Sequence, residues 1–193
     1  MALEKIRRSD LSHSLVHLTK YRARTAFNFQ TEASAFEIVK EILAAGKIKA
    51  GHGYVKGLQP VACFSEIPFS ALHGFAARPT AQIPRPRYEF YGIAISKQSG
   101  FSLGARPVIY LPDAEAGWIP FDQKWRHVRF EHGQIDWTHE REWRCPNDVD
   151  LSKIGFYVLV WSAGEAAEIM QLNGPVKDNI LGILPMEHIS DML

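Results

Sequence analysis

Hydrophobic and polar positions alternate first at residues 15–19, Leu-Val-His-Leu-Thr, and this β-rich run predicts a short opening strand. Alternation is expected to set Val16 and Leu18 on one face and His17 with Thr19 on a polar one. From residue 31 to 45 the period lengthens to that of a helix, with Phe36, Val39, Ile42 and Leu43 on one side. Ser34 and Glu37 have capping-box spacing, Thr31 is an alternative cap, and Gly46 is placed to stop the helix. A loop with Gly51, Gly53 and Gly57 follows, then a strand candidate at 60–65 and a short helix at 69–77. Pro79, Pro84 and Pro86 make residues 78–87 a loop, expected to be exposed. Beyond it, strands are predicted at 88–96, 107–111, 140–144, 156–162 and 180–184, with a helix at 164–171. An early helix followed by a run of strands predicts an α+β fold with mixed, mostly antiparallel sheets in one domain over residues 1–193.

Composition narrows the class only modestly. With 193 residues, 46% hydrophobic and 22% charged, the chain can bury a sizeable core, and its composition argues against bulk disorder or a coiled coil. The first residues lack the apolar stretch of a signal peptide, and no apolar run approaches membrane-spanning length. Two cysteines, Cys63 and Cys145, cannot build a disulfide framework, so a reduced cytoplasmic setting is expected. The net charge of +1 conceals an asymmetry: residues 1–60 hold ten Lys/Arg and five Asp/Glu. A second basic stretch, 78–106, holds five basic residues and one acid, Glu89. Such a division marks either a surface for phosphates or nucleic acid or a plain solvated face. Duplex DNA gripped by its phosphates alone calls for a far more basic chain.

Candidate chemistry concentrates in two places. On a strand, Glu140, Glu142 and Arg144 share one face. They read either as an exposed edge strand with an ion pair or as a polar cleft in which one Glu handles a hydroxyl or a developing cation. His17 is either a structural strand histidine or the second member of such a cleft. Cys63, Cys145, His13 and His17 lack zinc-site spacing, and the Gly51-x-Gly53 pair has Lys56 where a dinucleotide fingerprint needs its third glycine.

The order of motifs adds a resemblance. A His-x-Thr strand, a basic loop, a helix ending at Gly46 and then Cys63-Phe64-Ser65-Glu66 look like the N-terminal half of an ADP-ribosyltransferase. Cys63-Phe64-Ser65-Glu66, Tyr91-Gly92-Ile93-Ala94, Gly104-x-x-Pro107-Val108-Ile109-Tyr110 and Glu140-x-Glu142-x-Arg144 resemble the AbiGi-like abortive-infection family. Trp137, three residues before Glu140, matches the Trp-x-x-Glu-x-Glu-x-Arg pattern of its kin. The likeness covers roughly residues 15–145 and implies an ADP-ribosyltransferase-like fold using NAD as a substrate. By that resemblance His17 holds the adenosine-side ribose, Thr19 adds a hydroxyl contact, and Arg22 or Arg24 meets the pyrophosphate. Ser65 joins the NAD contacts, and Tyr91, or else Tyr110, stacks on nicotinamide. Glu142 grips the 2′-OH of the nicotinamide ribose and offsets the positive charge developing there, while Glu140 orients the acceptor.

Two functions follow from the resemblance. One is a toxin or phage-defence transferase that modifies nucleic acid or a protein, with a cognate antitoxin. The other is a non-catalytic, antitoxin-type binding protein on the same scaffold, with a cognate toxin; no membrane partner is expected in either case. Their discriminator is geometric. The transferase requires His17 and Glu142 on adjacent central strands facing one cleft, and placement on opposite sides of the sheet argues against it.

Overall fold

The computed structural model describes residues 12–23 and 31–187. Its strands are β1 (Ser14–Leu18), β2 (Lys47–Ile48), β3 (Val61–Ser65), β4 (Gly92–Ser96), β5 (Arg106–Pro107), β6 (Ile109–Leu111), β7 (His127–Arg129), β8 (Glu142–Pro146), β9 (Val149–Asp150), β10 (Phe156–Val160) and β11 (Ile180–Pro185). The α-helices are α1 (Ala35–Ala45), α2 (Lys97–Ser102) and α3 (Ala163–Gln171), with short 3₁₀ turns between strands. Seven strands form one sheet in the order β11-β10-β4-β1-β3-β8-β5. Only β10 and β11 run parallel within it, as expected for strands joined through a helix, here α3. The α+β, mostly antiparallel class therefore holds.

Local chemistry explains the main elements. Ser34 accepts from the Glu37 N–H at 3.2 Å while the Glu37 carboxylate accepts from the Ser34 N–H at 2.8 Å, closing the capping box that starts α1. Gly46 ends the helix at φ 65°, where a Cβ is disfavoured. Its buried face, Val39, Ile42 and Leu43, packs on the sheet with Leu15, Phe64, Ile93, Ile95, Phe156 and Val158. The opposite sheet face carries Val16, Ala94 and Leu159, covered by Ile67, Leu72, Ala76, Phe90 and Met186.

Three expectations need correction here. The first strand has no polar face, because β1 is central and its two faces bury Leu15 and Val16 in different cores. Residues 107–111 are not one strand: β5 extends the large sheet, whereas β6 pairs in parallel with β7. Nor do residues 140–144 form one strand. Glu140 ends a 3₁₀ turn, Thr138–Glu140, and Arg141 at φ 43° breaks the alternation before β8 begins at Glu142.

Candidate functional site

Register determines which candidate side chains can meet, since direct partners in an antiparallel ladder share a face. Val16 pairs with Ser65, and Ser65 pairs with Glu142. Cys63 pairs with Arg144, so Val16, Cys63, Ser65, Glu142 and Arg144 look to one side. His17 alternates to the other side, pairing with Ile93, and its ring meets the edge of Phe64 at 5.8 Å. His17 and Glu142 therefore lie on opposite faces, with β3 between their strands. The expected adjacent strands and shared cleft are not present.

His17, Thr19, Arg22, Tyr91, Glu140 and Glu142 already have partners within the protein. His17 Nδ1 lies 2.8 Å from the Cys63 carbonyl oxygen, and burial holds the imidazole below its usual value of 6.5 despite that contact. Thr19, buried, donates to the Ala35 carbonyl at 2.9 Å and ties the end of β1 to the start of α1. Arg22 makes a two-pronged ion pair with Glu41 at 2.7 and 2.8 Å and donates to the Thr31 carbonyl at 3.0 Å. Arg24 lies outside the described residues. Tyr91 packs on Phe36 and donates to Glu165 at 2.9 Å; burial, then Glu165, raises its phenol above the usual range.

Glu142 and Arg144 form an interior pair, not an exposed edge. Arg144 Nε donates to Glu142 at 2.8 Å, and the side chains are 6% and 11% exposed, respectively. Arg144 Nη1 donates to the Trp125 carbonyl at 2.6 Å, and its other amine lies 3.3 Å from Glu142. Tyr110 lines the same side, its hydroxyl accepting the Glu142 N–H at 3.0 Å. Beside them, the Cys63 thiol is pushed up to about 12 by desolvation and then by the Glu142 charge, which leaves it a poor nucleophile at neutral pH. Glu140 stands apart from this group. Its buried carboxylate accepts from Arg87 Nη2 at 2.8 Å and from the Tyr88 hydroxyl at 3.2 Å.

A polar cavity lies elsewhere, at the N-terminus of α1. A space of about 320 Å³ is lined by Ser34, Phe36, Arg78, Glu89, Tyr91 and Glu165, among others. A second, of about 220 Å³, shares Ser34, Pro79 and Glu89 with it and adds Tyr21 and Arg85. Glu89 is 5% exposed, accepts the Tyr21 N–H at 2.8 Å, and has its carboxyl raised by desolvation. The sequence carried a faint signal for it, as the one acid in an otherwise basic stretch, between Tyr88 and Phe90. The loop 78–87 overhangs this cavity and is exposed except at Pro86, as its prolines predict. Among the described residues no group of three or more His, Cys, Asp or Glu can hold a metal ion, and no helix is long and apolar enough to cross a membrane. No family model, no curated protein and no solved structure matches the chain.

Proposed function

We propose that the chain is a non-catalytic binding protein of abortive-infection or antitoxin type, on a scaffold resembling that of the ADP-ribosyltransferases. One observation carries this reading: His17 and Glu142 point away from each other across the sheet, and both are already engaged inside the protein. An NAD molecule gripped by both would require them on one side. Thr19, Arg22 and Tyr91 are likewise engaged within the protein. The test is incubation with adenine-labelled NAD and separate pools of DNA, RNA and cell protein. No label above the buffer control is expected in any pool, and protein-dependent labelling of one pool would overturn the reading.

A second reading, the NAD-dependent transferase, is favoured by a specific feature of the sheet. Strands β1 and β4 share five paired positions and β3 and β8 share five, yet β1 and β3 share only Val16 and Ser65. A sheet that parts beside His17, with Ser65 and Glu142 on the next two strands, offers a seam that a dinucleotide would have to open. Under this reading Glu142→Gln lowers nicotinamide release by about 10²-fold, since the charge opposing the oxocarbenium is lost.

A further inference from the structure

We propose that the loop of residues 78–87 and the cavity beneath it form a binding surface for single-stranded nucleic acid. All three arginines of this loop lie over aromatic rings supplied by other segments. Arg78 sits 4.6 Å from the centre of the Trp161 ring and Arg85 4.9 Å from that of Tyr21. Arg87 lies 4.3 Å from the centre of Trp137 and 5.4 Å from that of Tyr88, which itself stacks on Phe75 at 4.7 Å. Such contacts fix the guanidinium planes, and at Arg78 and Arg85 they leave N–H groups available for phosphate oxygens. Arg78 and Arg85 are exposed and make no ion pair with a described carboxylate, whereas Arg87 is held by Glu140. Three prolines stiffen the loop, so little freedom is lost on binding.

The cavity below selects among anionic partners. Glu89 lines both parts of it, between Arg78 on one side and Arg85 on the other. A carboxylate there repels the acidic side chains of a peptide that the arginines would otherwise attract. The arginines in turn repel a basic peptide. A nucleotide chain satisfies both demands: its phosphates meet the arginines, and a base amino group or sugar hydroxyl donates to Glu89. Trp137, 37% exposed, offers a face on which a base can stack. A duplex closes its bases to such rings, and a net charge of +1 gives it little backbone attraction. This inference names a partner for the binding reading and rests on it.

The test is fluorescence anisotropy with end-labelled 12-nucleotide DNA and RNA strands, a 12-base-pair duplex and a hexaglutamate peptide, at several salt concentrations. At least one single strand is expected to bind saturably and more tightly than the duplex or the peptide. Its affinity should fall with salt at a log–log slope of about −1.4, the value for two phosphates on a single strand. Arg78→Gln/Arg85→Gln is expected to weaken it by about 10-fold or more, and Trp137→Leu by about 5-fold or more. Arg129→Gln, on β7, should leave it unchanged, and thermal melts check that every variant is folded. Absence of saturable binding by the wild type overturns the proposal. Equal binding of duplex or hexaglutamate, or a loss in Arg129→Gln as large as in the loop variants, also overturns it. Nicotinamide release from NAD is measured in the same samples. Release alongside strand binding would overturn the binding reading and leave this surface standing, whereas neither signal would overturn the surface alone.

Discussion

The large sheet has two halves that are built on different terms. The half containing β1, β4, β10 and β11 is apolar on both faces, with Leu15, Ile93 and Val158 on one side and Val16, Ala94 and Leu159 on the other. In the half containing β3, β8 and β5, one face carries the buried pair Glu142–Arg144 beside Cys63 and Ser65. The first half is held by burial and close backbone approach; a Cβ on Gly92 would stand 2.2 Å from the His17 carbonyl oxygen. The second depends on one guanidinium satisfying a carboxylate and backbone carbonyls together. The halves meet at Val16 and Ser65, reinforced by the His17 ring reaching the Cys63 carbonyl. A charge buried in this way can be structural without being catalytic, because its cost is offset inside the fold.

The largest effect is expected in the charged half. Arg144→Met leaves Glu142 buried without its cation and should lower stability by about 4 kcal/mol, measured by urea unfolding. Glu142→Gln keeps one acceptor for Arg144 and should cost less, about 2 kcal/mol. A near-silent Glu142→Gln would mean that the pair is effectively solvated. In the apolar half, Gly92→Ala should cost about 3 kcal/mol, since backbone rather than a flexible side chain must move. A loss under about 1 kcal/mol would show that β1 and β4 can part there.

Smaller effects probe the junction and the cavity through pH. Burial lowers the His17 pKa, so the folded state disfavours the imidazolium. Stability should therefore be full above the unfolded value of about 6.5 and decline as pH falls below it. His17→Asn should remove that part of the acid slope at a cost of about 1 kcal/mol, and an unchanged slope would contradict the assignment. Glu89 has the opposite sign. Its raised pKa makes the folded state prefer the protonated acid, so stability falls as pH rises from the unfolded carboxylate value through the folded one. Glu89→Gln, which can still accept the Tyr21 N–H, should flatten that slope and raise stability at pH 7 by less than about 1 kcal/mol.

The elements were legible where one rule acted alone. The α1 cap at Ser34 and its stop at Gly46, the strands near residues 61, 92, 156 and 180, and the proline loop all follow from local chemistry. Side-chain direction was much less legible. Alternation assigned His17 to a polar face, but a central strand packed on both sides has none. Glu140 and Glu142 were expected side by side, and the positive φ of Arg141, a conformation no residue-type rule assigns to arginine, turned them apart. Glu89 and the rings under the loop arginines come from segments distant in sequence, and no spacing rule joins Arg78 to Trp161 or Arg85 to Tyr21.

The separation of His17 from Glu142 is tested most directly by nicotinamide release from NAD. Wild type, His17→Ala and Glu142→Gln are compared at a temperature where thermal melts show all three folded. Release at the buffer rate in all three is expected from two side chains that face apart and are already paired. Release by the wild type that falls about 10²-fold in folded Glu142→Gln, and also falls in His17→Ala, would contradict it and restore one catalytic cleft.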